Sequence, residues 1–473
     1  MSGDLFYMDA AQLAAKIRSK ALSPVEVAEA HLRRIEAVNP ALNAIVTPAP
    51  DVLDQARRAE EAVMEGEPLG PLHGVPFTVK DCVDTRGLRT TRGSKLFAKH
   101  IPDADATVVT RMKRAGGVML GKTNMPEFAL WWETDNAIFG RTENPWKRGR
   151  TPGGSSGGEA ASIASGMSPI GIGSDLGGSI REPANYCGIV GIKPTHGRAP
   201  LTGHWPDTLL RFMHVGPLAR SVRDAALGLA IMSGPDGRDP YAVPVPNFKT
   251  PRLFTKLKGV RVGWTADGPF APVSKEVKAA AAKAASALEE LGCHVEEVTL
   301  DSMVRDSPQQ LSDVIYAIEG RHFLGPLVKG RERDLAPPLQ RRMAMTPPSH
   351  DAYLDALAGL ERMKAGFMPV WDRHDVLLCP GGPVPAHPHG ANPISVDGQD
   401  VTGRNALRAT IPFDLTGSPA LSVPFAWSAD GLPIGVQLVG RHFDEATILQ
   451  VASAIEALDD HPRRPPVDGA AHR

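Results

Sequence analysis

The chain has 473 residues, and its 52 lysines and arginines nearly balance 53 aspartates and glutamates, for a formal net charge of −1. This balance argues against a protein built mainly to bind nucleic-acid phosphates, since such proteins are usually clearly basic. Hydrophobic residues make up 42% of the chain and charged residues 22%, which is typical of a globular protein and argues against a disordered one.

Four cysteines are spread along the chain as Cys82, Cys187, Cys293 and Cys379. Their spacing fits neither a zinc site nor a disulfide framework, so a reduced, cytoplasmic setting is the simplest interpretation. No apolar run approaches the ~18 to 20 residues of a membrane span. The N-terminus also lacks the basic and apolar segments of a signal peptide. We therefore expect no membrane span and no nucleic-acid partner.

Helix and strand patterns alternate along the chain. Ser23-Pro24-Val25-Glu26 has the form of a capping box with proline at the first helical position, and it predicts a helix that ends near Pro40. The later patterns predict, in chain order, a helix over 53–64, a strand over 75–79, a helix over 107–115, a strand over 118–120, a helix over 159–165, strands over 170–173 and 260–262, a helix over 274–291, a hairpin over 421–440 and a helix from 444. This alternation indicates the α/β class. Residues 301–350 are irregular and rich in Met and Pro, which predicts a variable loop or a helical cover.

Two motifs match catalytic signatures in their letters but not in their context. Residues 116–123, GGVMLGKT, match a phosphate-binding loop, but a helical pattern precedes them and their apolar interior favours a core strand. Residues 153–157, GGSSG, match the nucleophile elbow of α/β-hydrolases, but charged residues and Pro152 stand where that elbow requires an apolar strand. His387 and His389 have no carboxylate or thiolate neighbours in the sequence, so we predict no metal there.

The segment 153–195 reads GGSSGGEAASIASGMSPIGIGSDLGGSIREPANYCGIVGIKPT, and it resembles the signature of the amidase signature family nearly position for position. The resemblance extends to residues 74–81 and 121–124, and it resumes at 431–437. It therefore spans most of the chain.

As for architecture, the resemblance implies one α/β domain over residues 1–473, with a central mixed β-sheet covered by helices on both faces. The core signature lies in 149–198, and the segment of about 301–400 is expected to form a variable cover on the substrate side. The resemblance implies no cofactor.

The family uses a Ser–Ser–Lys triad, and the resemblance assigns its members in this sequence. Ser179 is the nucleophile that forms an acyl-enzyme, Ser155 is the bridging serine and Lys80 is the base. The resemblance also implies a cis peptide bond between Gly154 and Ser155. It assigns the oxyanion hole to Leu176, Gly177 and Gly178, whose backbone N–H groups glycine leaves open to close approach. Supporting roles are expected for Ser156, Asp175 and Arg181.

The residue types themselves agree with this chemistry. A serine hydroxyl is a weak nucleophile and needs a base. Lysine can act as that base only when it is neutral, which requires burial or a nearby positive charge. Because Lys80 ends an apolar strand pattern, we expect its amine to be desolvated.

By position in the family, Leu130, Trp132 and Gly154 bind the substrate. Further apolar candidates for the pocket wall are Trp131, Ile138, Phe139, Trp205, Leu209, Leu210, Phe212 and Met213. We therefore predict a hydrolase of small-molecule amides with apolar acyl or aryl groups, and of esters and carbamates (urethanes). Asp414 stands where relatives often carry Asn, which predicts a change on the leaving-group side.

Three alternatives stay open at this point. The A subunit of a glutamyl-tRNA amidotransferase-type complex is similar, but that branch usually has a small residue at the position of Glu159, and the neutral charge fits a stand-alone enzyme better. A non-catalytic binding protein on the same scaffold and a Ser-His-Asp hydrolase are the others. A homodimer is compatible with the main interpretation.

Overall fold

Strands from the whole length of the chain form one large sheet in the computed structural model, which describes residues 5–246, 248–253, 257–459 and 464–467. In chain order the strands are β1 (Ile45–Pro48), β2 (Pro76–Lys80), β3 (Val118–Thr123), β4 (Ile170–Asp175), β5 (Val190–Lys193), β6 (His214–Ala219), β7 (Arg261–Trp264), β8 (His294–Glu297), β9 (Val376–Pro380), β10 (Ile394–Val396), β11 (Gln399–Val401), β12 (Ala420–Trp427) and β13 (Pro433–Gly440). The helices are α1 (Ala10–Arg18), α2 (Pro24–Leu42), α3 (Val52–Glu65), α4 (Thr107–Arg114), α5 (Gly157–Ala164), α6 (Arg181–Cys187), α7 (Val222–Met232), α8 (Lys275–Glu290), α9 (Asp301–Arg305), α10 (Pro308–Val328), α11 (Pro337–Ala344), α12 (His350–Phe367), α13 (Val370–Arg373), α14 (Ile411–Leu415) and α15 (Glu445–Leu458).

Across the described part of the chain, the large sheet has the strand order β1-β3-β2-β4-β6-β5-β12-β13-β9-β7-β8, and β10 and β11 form a separate hairpin. β2 runs parallel to both β3 and β4, whereas β4 and β6 pair antiparallel. The sheet is therefore mixed, and helices cover both of its faces. This confirms the predicted α/β fold as a single domain.

The predicted helices and strands lie close to the observed ones, with one clear error. The sequence predicts that the helix from Ser23 ends near Pro40, but α2 continues to Leu42 and ends at Asn43, which has a left-handed backbone with φ of 53°. Just beyond the helix, Asn39 Oδ1 accepts hydrogen bonds from the N–H groups of Ala44 and Ile45, each at 2.9 Å, and so fixes the chain where it leaves α2 for β1.

The two misleading motifs have the predicted structures. Residues 116–123 are a turn after α4 followed by the buried strand β3, as the apolar interior indicated. Residues 153–157 follow a loop rather than a strand. Of the two options for 301–350, the helical cover is the one observed, as α9, α10 and α11. Among the described residues, no helix is both long enough and apolar enough to cross a membrane.

Sheet topology brings the signature residues to one edge. β2 ends at Lys80 and its parallel neighbour β4 ends at Asp175, so the chain leaves both strands on the same side of the sheet. In α/β sheets, this carboxyl edge is where ligands usually bind. The chain after β4 turns through residues 176–180 and enters α6, and the segment before α5 lies beside that turn through a hydrogen bond from Ser156 N to Ser179 O of 3.2 Å.

Candidate active site

The amine of Lys80 is the centre of the candidate site. Its side chain is fully buried, and Nζ lies 2.7 Å from Ser155 Oγ. Two further contacts join Nζ to Ser174, at 3.1 Å to Oγ and 3.3 Å to the carbonyl oxygen. Burial lowers the pKa of Lys80, against the opposing influence of Cys82, Asp175 and Glu159, which favour the charged form. The environment therefore favours the neutral amine.

Two other buried lysines show what is distinctive about Lys80. Lys122 binds the Val83 carbonyl and Thr85 Oγ1, and Lys193 binds the Ser418 carbonyl at 2.5 Å. Burial also lowers the pKa of these two lysines, to about 8 and about 7. Their amines thus bind structural carbonyls and a threonine, whereas the amine of Lys80 contacts a signature serine.

Ser155 lies in a tight turn just before α5, and this turn packs between residues 131–133 and α6. The Gly154–Ser155 peptide bond is cis, as the resemblance implied. Gly154 has no room for a side chain, because a Cβ there would lie 2.7 Å from the Trp132 carbonyl carbon and 2.8 Å from Glu133 N. Gly154 N donates to Glu182 Oε2 at 3.0 Å. The backbone of the turn is thus fixed from two sides.

Ser179 follows β4 and lies 8% exposed at the edge of a small cavity. Its carbonyl oxygen is tied to Ser156 N, so the turns that carry Ser155 and Ser179 are adjacent. No hydrogen bond joins the Ser155 and Ser179 hydroxyls in this structure, within the residues it describes. Hydrogen bonds between catalytic groups are often long in the free enzyme and tighten when substrate binds.

Asp175 organises the turn that carries Ser179. Its carboxylate accepts hydrogen bonds from Gly178 N at 2.5 Å and Ile180 N at 3.1 Å, and it forms a two-point ion pair with Arg181 at 2.9 and 3.0 Å. Burial alone would raise the pKa of Asp175, but the charge and hydrogen bonds of Arg181 outweigh it and hold the pKa well below its usual range. Asp175 is therefore a carboxylate at neutral pH.

Peptide groups in this turn are oriented by bonds to their carbonyl oxygens. Tyr316 Oη donates to the Leu176 carbonyl at 2.9 Å. Because the C=O and N–H of a trans peptide group point in opposite directions, the Gly177 N–H of this group points away from Tyr316. The Gly178 carbonyl accepts from Glu182 N at 2.8 Å, which orients the Ser179 N–H similarly. Gly178 N–H is one of the predicted oxyanion donors, but Asp175 already holds it. The N–H groups of Leu176, Gly177 and Ser179 have no acceptor in the described parts of the chain.

Two adjacent cavities adjoin the site. The inner cavity, of about 40 Å³, is lined by Ala129, Leu130, Trp131, Trp132, Leu176, Gly177, Ser179, Tyr316, Arg342, Arg404 and Leu407. The outer cavity, of about 430 Å³, also includes Leu130, Trp131 and Trp132 in its lining. Leu130 and Trp132 thus line both cavities, and their contact with substrate stays a prediction.

Several apolar candidates for the pocket wall are instead core residues. Trp205, Leu209, Phe212 and Met213 are buried away from both cavities, and Ile138, Phe139 and Leu210 are half-buried without lining either. Asp414 is fully buried and lies 2.6 Å from Arg181 Nη2, and it lines neither cavity. Burial raises the pKa of Asp414 well above its ordinary value.

Sequence patterns missed several residues of the site. Ser174 and Glu182 lie inside the signature segment, directly beside Asp175 and Arg181. Their place in the sequence could therefore have indicated that they belong to the site. The remaining missed residues are Tyr316 on α10, Arg342 on α11 and Arg404 in the segment before α14. No local sequence pattern indicated that these residues belong to the site.

A central mixed sheet with a buried lysine beside two adjacent, glycine-rich serine turns defines the class of amidase-type hydrolases, which act on carbon–nitrogen bonds. The chain belongs to the amidase signature family, because the family's sequence profile, described as Amidase, matches residues 26–449.

Known proteins similar to this chain include the A subunit of the glutamyl-tRNA(Gln) amidotransferase from Moorella thermoacetica, which is 37% identical over 500 residues covering 99% of this chain and 100% of that protein. Among solved structures, a bacterial aryl acylamidase of the amidase signature family has a TM-score of 0.88 at 30% identity, over 96% of each chain. The structure of 6-aminohexanoate cyclic dimer hydrolase complexed with substrate has a TM-score of 0.86 at 32% identity, over 98% of this chain and 100% of that one.

Replacing Glu182 should separate a hydrogen-bonding role from simple packing. Burial raises the pKa of Glu182 well above its ordinary value, which favours the neutral form, and Glu182→Gln keeps an uncharged acceptor for Gly154 N. Glu182→Leu leaves that buried N–H without a partner, which costs about 1–3 kcal/mol. We expect urea denaturation to show this loss of unfolding free energy for Glu182→Leu and a clearly smaller loss for Glu182→Gln. Equal stabilities of the two variants would contradict the role, and exposed Glu61→Leu serves as the control.

Proposed function

We propose that this protein is an amidase that cleaves amides with apolar acyl or aryl groups, and related esters and carbamates, through an acyl-enzyme on Ser179. The observation that carries the proposal is the fully buried Lys80 amine, 2.7 Å from the Ser155 hydroxyl. A neutral amine has two N–H groups and one lone pair. Ser174 O and Oγ supply acceptors for the two N–H groups, which leaves the lone pair for the Ser155 proton.

In the proposed reaction, Ser179 Oγ attacks the substrate carbonyl carbon as its proton passes to Ser155 and the Ser155 proton passes to Lys80. The carbon–nitrogen bond then breaks, and the proton returns through Ser155 to the leaving nitrogen. Water then gives a proton to Lys80 through Ser155 and attacks the acyl-enzyme carbonyl carbon. The ester bond to Ser179 breaks, the proton returns through Ser155 to Ser179 Oγ, and the acid is released. Ser156 and the Asp175–Arg181 pair keep the two serine turns adjacent during these steps.

Negative charge develops on the carbonyl oxygen during attack, and backbone donors beside Ser179 can stabilise it. We propose the N–H groups of Leu176, Gly177 and Ser179 for this role, since Asp175 already engages Gly178 N. A single donor of this kind is worth about 3 kcal/mol of transition-state stabilisation.

The lining of the inner cavity supports the substrate class. Leu130, Trp132 and Leu407 provide apolar surface for an acyl or aryl group. The same cavity includes Arg342 and Arg404, and the guanidinium of Arg404 lies 4.7 Å from the centre of the Tyr316 ring. Because each guanidinium has several N–H donors, they favour substrates with an acceptor atom near the scissile carbonyl. The second oxygen of an ester or carbamate is such an atom.

We further propose that the whole chain, 1–473, works as one catalytic unit in which residues 301–400 cover the substrate side. Tyr316 and Arg342 of this segment line the inner cavity, and Leu339 lines the outer one. A cytoplasmic location is part of the proposal and is supported by four buried, unpaired cysteines.

The second candidate function is that of the amidotransferase component, and the 37% identity to the Moorella thermoacetica protein favours it. Hydrolysis of amides by the purified chain alone separates the two, because a stand-alone amidase needs no partner.

A panel of anilides, aliphatic amides, esters and carbamates tests the proposed specificity. Faster turnover of acetamide than of any aryl or longer-chain amide would contradict the preference, and labelling of Ser179 by a fluorophosphonate identifies the nucleophile.

Lys80→Ala should lower kcat/KM for an anilide by about 10²- to 10⁴-fold, the range typical of a lost general base. Ser179→Ala should abolish both hydrolysis and fluorophosphonate labelling. Exposed Lys16→Ala, on α1, is the control and should leave the rate unchanged. Near-full turnover by Lys80→Ala at neutral pH defeats the proposed triad.

The rate should rise with pH through the ionisation of Lys80. Since burial lowers the pKa of Lys80, the neutral base form becomes populated at a pH below the ordinary lysine value of about 10.4. A plot of kcat/KM against pH should therefore show its acid limb below that value. Lys80→Arg keeps the positive charge but cannot lose its proton, so it should be inactive across the range. A pH-independent rate, or an active arginine variant, is the opposing outcome.

Tyr316→Phe should lower kcat more than it raises KM. The variant loses the hydrogen bond to the Leu176 carbonyl and so frees the peptide that presents Gly177 N–H. Such a donor matters most in the transition state, where the oxyanion forms. Steady-state kinetics with an anilide measures this split, and Tyr353→Phe, which loses a bond to Glu319 instead, is the matched control. A change confined to KM contradicts the orienting role.

A further inference from the structure

The inner cavity beside Ser179 is too small to hold a whole substrate. Its volume is about 40 Å³, less than a tenth of the volume of the outer cavity. The outer cavity has about 430 Å³, which lies within the range of roughly 300–1,000 Å³ found for small-molecule sites. A ligand that reaches Ser179 must therefore place most of its body elsewhere, and the adjacent outer cavity has the required size.

One short segment forms the wall between the two cavities. Leu130, Trp131 and Trp132 line both of them. The indole rings of Trp131 and Trp132 are stacked, with centroids 3.7 Å apart and planes inclined by 24°. Trp132 is buried and Trp131 is half-buried. The backbone of this segment packs directly on Gly154, so the wall is held in register with the Ser155 turn.

The opposite side of the outer cavity is apolar and stiff. It is formed by the start of α11, residues 336–339, which includes two consecutive prolines and Leu339, and by Ala391. Ala137 lies on the rim, next to the tryptophan segment. Flat apolar surfaces of indole and proline rings suit another planar ring, since aromatic groups gain from stacking beyond simple burial.

Two of the three carboxylates in this lining, those of Glu127 and Glu133, are engaged by backbone donors, and the third, Asp135, is exposed. Glu133 accepts Gly390 N at 2.9 and 3.1 Å, and Glu127 accepts Ala336 N at 2.6 Å and the Ser94 hydroxyl at 2.5 Å. Burial raises the pKa of Glu133 to about 7 and also raises that of Glu127. Glu127 and Glu133 therefore offer no free negative charge. The other charged side chains in the lining, Asp135 and Arg341, have opposite signs, so the lining has no net charge that selects a charged ligand.

We propose that the outer cavity is a second subsite that holds the distal aryl ring of a two-ring amide or carbamate while the scissile carbonyl reaches Ser179. This inference rests on the proposed hydrolase function and extends it to a substrate class. It assigns a specificity role to Trp131 and to the rim residue Ala137, and it makes the start of α11 part of the substrate site.

Substrate pairs that share a scissile bond test the subsite. Acetanilide and 4-benzylacetanilide differ only by a ring on the amine side, and propionanilide and 3-phenylpropionanilide differ only by a ring on the acyl side. Exposed Ala137→Trp fills the rim of the outer cavity, while Ala365→Trp, exposed on α12 and lining neither cavity, is the matched control.

In Ala137→Trp, the two-ring to one-ring ratio of kcat/KM should fall about tenfold or more in at least one pair, an effect typical of lost apolar pocket contacts. The ratio should stay unchanged in Ala365→Trp. If neither ratio changes in Ala137→Trp, the subsite is disproved even though hydrolysis continues. Loss of the same size in the control also disproves it.

A binding measurement keeps this test independent of turnover. Calorimetry with the Ser179→Ala protein and 4-benzylacetanilide or 3-phenylpropionanilide should show binding of at least one ligand that Ala137→Trp weakens by a similar factor. Binding that Ala137→Trp leaves unaltered overturns the subsite, as does failure of both ligands to bind. If the unaltered protein hydrolyses none of the four substrates, the proposed function fails, and the binding result alone decides the subsite.

Discussion

The buried ion pair between Asp175 and Arg181 is the interaction on which the rest of the site depends. Both side chains are fully enclosed, so each charge relies on the other for the stabilisation that water would otherwise provide. Arg181 also binds the Thr410 carbonyl and Gln437 Oε1, each at 2.8 Å, and so links the turn after β4 to α14 and β13. Loss of Arg181 would leave Asp175 as an uncompensated buried charge, which typically costs about 3–5 kcal/mol. The position of Ser179 is therefore set by electrostatics as much as by packing.

Burial has opposite consequences for the two kinds of charge in this site. Asp175 keeps its charge because Arg181 touches it, whereas Lys80 has no carboxylate in hydrogen-bond contact among the described residues and tends to lose its proton. Glu159, a buried acid on α5, accepts hydrogen bonds from the hydroxyls of Thr78 on β2 and Thr123 on β3. Burial raises its pKa to about 7, which weakens its attraction for a charged Lys80. Burial thus favours the neutral form of the Lys80 amine.

How far the sequence predicts this molecule depends on the range of the interactions involved. Local signals placed the strand that ends at Lys80, the helix from Ser274 and the hairpin around Asp430 close to their observed bounds, because periodicity and turn residues act over a few positions. The resemblance led to the residues of the signature, including the cis bond at Ser155. It did not reveal that Asp175 occupies Gly178 N, nor that Asp414 pairs with Arg181, since these contacts depend on side-chain geometry. Tyr316 was missed because its partner, Leu176, lies 140 residues away.

The cover segment is more than a variable lid, because it takes part in the geometry of the core. α10 carries Tyr316, which fixes a peptide of the nucleophile turn, while α11 carries Leu339 and Arg342 to the two cavities. Glu127, on the core side, holds the first turn of α11 through Ala336 N. Exposed rim residues such as Ala137 lie outside the Lys80 hydrogen-bond network, whereas a shift of α10 also moves the Leu176–Gly177 peptide group. The stacked tryptophans line both cavities, so a change at this wall reaches the Ser179 side as well as the outer cavity.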